Sequence, residues 1–184
     1  MIDFYFDEAI KLEDLVSDGE IVFLTDNGWE WYGLKEDPEN TALAISTNDD
    51  GYITFACGHD AALPVVFYLY EKRGIKFHDN NEFFYELDGI CDRYGIELTN
   101  DEWNTIYDYI CLNHMTYYVK PGYPLHNKLE KEKEEYEPKY NEIMSRTGID
   151  RIRKEEEEKC RELFKERMET KPKPIISEDG DLPF

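Results

Sequence analysis

Two short polar turns, Asp26-Asn27-Gly28 and Asn48-Asp49-Asp50-Gly51, each sit between runs of β-branched and aromatic residues, and they constrain the fold more than anything else in this chain. Asparagine or aspartate next to glycine suits a tight hairpin, whose backbone must adopt positive φ. The flanking runs, Glu20 to Thr25 with Trp29 to Leu34 and Ala42 to Thr47 with Tyr52 to Cys57, then read as a meander of four strands, with Ile2 to Phe6 as a candidate fifth. Between the first strand and the meander, Asp7 to Val16 carries apolar residues at 9, 10, 12, 15 and 16, the spacing of a short amphipathic helix. The second turn also nearly spells a calcium loop, with Gly51 and Ile53 at the right places. However, position 1 is Ser46 and position 12, where a bidentate glutamate belongs, is Cys57, so a hairpin is the reading.

Past Cys57 the period changes. Asp60 to Arg73 reads as a helix that starts or breaks near Pro64 and stops at Gly74. Asp79 with Glu82 and Thr99 with Glu102 are two capping-box patterns. The first opens the stripe Phe83, Leu87, Ile90, Cys91 and Tyr94, and the second opens Trp103, Ile106, Tyr107, Ile110, Cys111 and His114. The expected class is α+β, antiparallel hairpins packed with two or three helices and followed by a charged helical arm. In that reading residues 1–119 are an acidic globular domain, 120–170 the arm and 171–184 a disordered acidic tail. Within the arm, Pro138 and Gly148 are expected to divide helical pieces near 125–137, 138–147 and 150–170. Its apolar stripe, Ile149, Ile152, Cys160, Leu163, Phe164 and Met168, is thin, which reads as a solvated arm packing on the body by one edge, the alternative being a dimerising coiled coil, which needs sustained heptads.

Charge is unevenly distributed. The net value is −21 over 184 residues, yet residues 1–119 hold 6 Lys and Arg against 25 Asp and Glu, a net of −19, whereas residues 120–184 hold 15 against 17. Such a surface repels phosphates and anionic lipid and attracts basic partners. Direct nucleic-acid binding by the body is therefore not expected, nor is membrane association. The seven carboxylates expected to carry the acidic surface are Asp49 and Asp50 in the second turn, and Glu82, Glu86, Asp92, Asp101 and Asp108 on the outward faces of the two capped helices. No basic leader opens the chain, and its longest apolar run, Ala61 to Tyr70, is too short to span a bilayer, so a soluble cytoplasmic protein is expected. Four cysteines in separate segments read as reduced thiols.

Candidate chemistry is sparse. Cys57 with His59 and Cys111 with His114 hold the ligand inventory of a zinc site at uncommon spacings, and buried thiols with a satisfied core histidine are the structural alternative. Cys57, His59 and Asp60 could also serve as nucleophile, base and orienter. Neither phosphate loops nor hydrolase or kinase motifs occur, no cofactor is expected, and a non-enzymatic protein is the reading. The run Trp29-Glu30-Trp31-Tyr32 reads as hairpin and core packing, because the adjacent acids oppose stacking on nucleic acid.

The last nine residues, Ile176-Ser177-Glu178-Asp179-Gly180-Asp181-Leu182-Pro183-Phe184, carry the most specific pattern. They resemble the acidic C-terminal tip of bacterial single-stranded-DNA-binding proteins, in which acids precede an aliphatic residue, proline and phenylalanine. The resemblance implies docking rather than DNA binding: Phe184 as the plug in an apolar pocket, Leu182 and Pro183 as its approach, and Glu178, Asp179 and Asp181 as steering charges. Gly180 stands where that family has another acid, and the body does not resemble the family's basic barrel. Two functions follow as expectations. One is a phage- or mobile-element-borne interaction protein that engages basic-surfaced bacterial replication, repair or nuclease proteins through this tail. The other is a DNA mimic, of the anti-CRISPR or anti-restriction type, whose ordered carboxylates occupy the DNA channel of a defence nuclease. The oligomeric state is not legible.

Overall fold

The computed structural model of the chain describes residues 1–6 and 9–170. Its fold is α+β. Six strands form one antiparallel sheet: β1 (Ile2–Phe6), β2 (Ile21–Asp26), β3 (Glu30–Leu34), β4 (Leu43–Thr47), β5 (Ile53–Gly58) and β6 (Phe77–His78), in the order β2-β3-β4-β5-β1-β6. The two glycine turns close the β2–β3 and β4–β5 hairpins, with Gly28 at φ 97° and Gly51 at φ 81°. In the first turn Asp26 Oδ1 accepts the Gly28 N–H at 2.9 Å. In the second, Asn48 Oδ1 accepts the N–H groups of Asp50 at 3.1 Å and Tyr52 at 2.9 Å. The Asn48 side chain in this near-calcium loop therefore satisfies the turn's own backbone. Beside the meander, β1 pairs with β5, and the two-residue β6 pairs with the far edge of β1.

The first helix, α1 (Leu12–Ser17), is shorter than its apolar spacing suggests. Ile10 C=O accepts from the Ile53 N–H at 2.8 Å and the Leu12 N–H donates to Gly51 C=O at 3.1 Å, so the backbone before residue 12 is already held by the start of β5. A turn of 3₁₀ helix (Asp60–Ala62) leads into α2 (Leu63–Arg73), which ends on Gly74 in the left-handed region at φ 71°. Helix α2 covers the inner face of the sheet. Val65, Val66 and Leu69 meet Phe4, Ile21, Leu43, Ile45 and Ala56 in the larger of two cores.

Four longer helices follow: α3 (Glu82–Tyr94), α4 (Asn100–Tyr118), α5 (Pro124–Thr147) and α6 (Ile149–Thr170). The expected box at Thr99 forms, with Thr99 Oγ1 accepting the Glu102 N–H at 3.3 Å and Glu102 Oε2 accepting the Thr99 N–H at 2.9 Å. Thr99→Ala is expected to cost about 1 kcal/mol, read as a shift of the urea midpoint without a change in slope. The box at Asp79 does not form. Asn80 Oδ1 instead accepts the N–H groups of Glu82 at 2.9 Å and Phe83 at 3.4 Å, while Asp79 turns towards α4.

The expected break at Pro138 is also corrected, because α5 runs unbroken through it. A proline inside a helix removes one hydrogen bond and crowds the carbonyl four residues back. Packing on both sides anchors the helix across that defect. Before it Leu129 is fully buried in the sheet core, and after it Tyr140 stacks on Tyr109 of α4 at 4.2 Å. Gly148 does divide α5 from α6. The smaller core lies among Leu87 and Ile90 of α3, Ile106 and Ile110 of α4, Ile143 and Met144 of α5, and Ile149. Helices α4 and α5 thus contribute to both cores. Along α6, Ile152 still packs inward, but Leu163, Phe164 and Met168 are exposed.

Candidate functional site

The seven carboxylates of the expected acidic surface divide into two groups. Asp49, Asp50, Glu82, Asp92 and Asp101 are exposed. Glu86 and Asp108 are engaged within the fold: Arg153 of α6 lies 3.1 Å from Glu86, and Lys76 lies 3.0 Å from Asp108 and 3.9 Å from Glu132. Two further acids follow the same rule, with Arg93 pairing Glu156 at 2.6 Å and Arg146 pairing Glu102. Helical spacing set which side of α3 and α4 these residues occupy. Their cations come from elsewhere in the chain: Lys76 just before β6 for Asp108, Arg153 and Arg146 from past residue 120 for Glu86 and Glu102, and Arg93 of α3 for Glu156 of α6, so part of the acidic excess ties the helices together.

The candidate zinc ligands are not gathered. Cys57 is buried on β5 opposite Asp3 and Ala44, whereas His59 is exposed in the following turn. Cys111 is buried on α4, and His114 faces Asp79. Among the described residues, no group of three or more His, Cys, Asp and Glu could hold a metal ion. Burial, reinforced by Asp3, pushes the Cys57 thiol up, the opposite of the shift that makes a nucleophilic thiolate. The tail residues Asp179, Asp181, Leu182, Pro183 and Phe184 lie outside the described residues. Among those described, no helix is long and apolar enough to cross a membrane.

What the structure assembles instead is a cluster centred on Asp79. Tyr118 donates its hydroxyl to Asp79 Oδ2, and His114 Nδ1 approaches Asp79 Oδ1 to 2.9 Å, too far out of line for a well-formed hydrogen bond. Residues 114 and 118 are one helical turn apart, so α4 directs both at the one carboxylate. Beside them His78 is 1% exposed, stacked on Tyr5 at 5.3 Å and enclosed by Phe84 at 4.7 Å and Tyr107 at 5.3 Å. Burial, with a smaller push from His114, lowers the His78 pKa to about 4 against weaker upward pulls from the Asn80 backbone and Asp79. Burial also lowers His114, against the opposing charge of Asp79. Both imidazoles are therefore neutral at pH 7. The Tyr118 phenol is raised, first by burial and then by its bond to Asp79, so the cluster offers no ready nucleophile.

Over His78 opens a cleft of about 500 Å³ between the sheet edge and helices α3 and α4. Tyr5, Phe84, Tyr85, Trp103 and Tyr107 wall it, and Asn81 and Asp88 stand among them. Aromatic contacts continue from Tyr5 across the outer face of the sheet, to Phe55 at 6.0 Å and on to Trp29 at 6.1 Å. The run at 29–32 thus has two fates. Tyr32 is buried as expected and donates to Glu30 Oε2 at 3.0 Å, whereas Trp29 is 48% exposed on the open face. A larger hollow of about 850 Å³ lies at the α5–α6 elbow, but its Arg146 is paired with Glu102 and Arg151 lies 4.0 Å from Glu155, leaving an open surface of mixed charge. Comparison with known protein families, curated proteins and solved structures finds no match to this chain.

Taken together, the fold and cleft define an α+β protein with an acidic exterior and an aromatic recess. Ring faces and a carboxylate line that recess, while the buried Cys57 thiol on the sheet and the imidazoles of His78 and His114 are shifted towards their neutral forms.

Proposed function

We propose that this protein is a non-enzymatic interaction protein, borne by a phage or other mobile element, that engages basic-surfaced bacterial DNA-replication, repair or nuclease proteins through the peptide Glu178 to Phe184. The observation that carries this reading is the residue order of that peptide, Glu-Asp-Gly-Asp-Leu-Pro-Phe, in which steering charges precede an apolar plug. The body supports it through charge: the net of −19 over residues 1–119 raises the local concentration of a basic partner while the peptide docks. Burying a phenylalanine side chain contributes about 1.5–3 kcal/mol, so Phe184→Ala should weaken capture by roughly 10- to 100-fold. The check is capture from bacterial lysate by the full chain, by Phe184→Ala and by a chain lacking Leu182 to Phe184, at low and high salt. Partners retained equally by all three would remove the reading.

A second reading, mimicry of DNA by the acidic body, rests on the same charge segregation and on the exposed acids Glu82, Asp92 and Asp101 of α3 and α4. It predicts capture that survives loss of Leu182 to Phe184 and is released by salt or by competing duplex DNA. The engagement of Glu86 and Asp108 in internal ion pairs reduces the charge such a face could present, which is why the peptide is preferred.

A further inference from the structure

The cleft over His78 combines features that select one kind of guest. Six of its lining residues are phenylalanine, tyrosine or tryptophan, Asp88 is exposed beside them, and no lysine or arginine lines it among the described residues. Burial raises the Tyr5 phenol and the charge of Asp3 raises it further, so a second carboxylate acts on that wall of the cleft. Tyr85, the outermost wall, is 72% exposed with no partner on its outer side among the described residues' ring contacts. Aromatic faces attract cations through their quadrupole, and the surrounding field opposes any anionic guest.

We propose that this cleft receives an arginine side chain presented by a basic partner protein. Arginine fits better than lysine because its planar guanidinium can lie against the rings of Tyr85 and Trp103 while its forked N–H groups donate to the Asp88 carboxylate. The fold already contains this pairing of a ring and a carboxylate two residues earlier on α3. The Arg153 guanidinium sits over the Phe83 ring at 5.2 Å, with its Nε paired by charge with Glu86 of α3 at 3.1 Å and with Glu157 of its own helix at 3.5 Å. In the cleft, Tyr85 and Asp88 repeat that spacing of three residues along the same helix, facing outward. A volume of about 500 Å³ admits the side chain with part of its flanking backbone. The residues named for this site are not those of the proposed docking peptide, and the two proposals share only the basic character of the partner.

The test uses the full chain and calorimetry at physiological salt, with quenching of tryptophan fluorescence, to which Trp103 contributes, as a second readout. The probes are a synthetic peptide of alternating arginine and glycine, a lysine-glycine peptide of equal length, and a single-stranded oligothymidylate. The expected result is that the arginine peptide binds several-fold more tightly than the lysine peptide and that the double substitution Tyr85→Ala with Asp88→Asn weakens it about tenfold. Tyr85→Phe, which keeps the ring, should bind as the natural chain does. Both positions are exposed, so the fold is retained, and unchanged thermal unfolding verifies that. A chain lacking Leu182 to Phe184 should bind the arginine peptide undiminished, which separates failure of this site from failure of the docking tail. Equal binding of the two peptides, or no effect of the double substitution, overturns the proposal in favour of unspecific charge attraction. Binding of the oligothymidylate at the cleft overturns it in favour of a base-stacking face.

Discussion

Substituting His78 by phenylalanine is expected to make the protein more resistant to acid than the natural chain. The His78 pKa is about 4 in the folded protein against an ordinary value of 6.5, because the ring is buried among Tyr5, Phe84 and Tyr107 with His114 beside it. A lowered folded pKa means that the unfolded chain takes up a proton the folded chain refuses. The stability associated with neutral His78 is therefore complete above pH 6.5 and is lost as the pH falls towards 4. At ~1.4 kcal/mol per unit the full loss is about 3 kcal/mol, of which about 2 kcal/mol falls between pH 7 and pH 5. His114 is lowered for the same reason and adds to the loss. Acidification also relieves self-repulsion in a chain of net charge −21, so the natural protein's own pH curve is a sum of opposed effects. The difference between the two chains isolates His78. Phenylalanine is a suitable replacement because the pocket is already a ring-lined box. Urea unfolding at pH 7 and pH 5 should show the variant's relative stability rising by about 2 kcal/mol on acidification. A gap that stays constant with pH would mean that His78 titrates normally in the fold.

The residues that were readable in advance are those whose partners lie close in sequence. Gly28 and Gly51 declared their hairpins because a left-handed turn residue and its Asx acceptor are local. Thr99 and Asp79 begin the same capping pattern, yet only Thr99 forms its box. What separates them is a tertiary competitor: Tyr118 and His114 claim the Asp79 carboxylate, and Asn80 is left to serve the N-terminus of α3. The two residues of β6 are too few to show any period, and they pair with β1 across more than seventy positions of chain. The cleft was hidden for the same reason, since Tyr5, His78, Phe84 and Tyr107 come from four elements and carry no common motif. Glu86 and Asp108 lie on the helices that their spacing predicts, yet each meets a cation, because a sequence shows a charge without showing its partner.

Leu129→Ala should cost about 3 kcal/mol, within the 2–5 kcal/mol usual for emptying a well-packed leucine site. Composition alone argues for a small effect, because Leu129 sits in the run Asn-Lys-Leu-Glu-Lys-Glu-Lys-Glu-Glu, which reads as a solvated helix. The packing argues otherwise. Leu129 is fully buried against the sheet core, together with Leu112 and Met115 of α4. Its charged neighbours reinforce the same contact: Lys128 lies over the Tyr70 ring at 4.5 Å, Tyr70 donates its hydroxyl to Glu132, and Lys76 approaches Glu132 and sits over Tyr136 at 5.9 Å. These polar groups screen the leucine from water and leave little room for the site to collapse when the side chain is shortened. Leu163→Ala supplies the control, since that leucine is 59% exposed on α6 and its loss should fall within about 0.5 kcal/mol. Urea unfolding of the two variants therefore distinguishes two identical substitutions on consecutive charged helices. A cost below about 1 kcal/mol at position 129 would make α5 an appendage lying on the sheet core. A cost near 3 kcal/mol would make α5 part of the body, so that shortening the chain before Pro124 uncovers the sheet core and destabilises the very surface that carries the cleft.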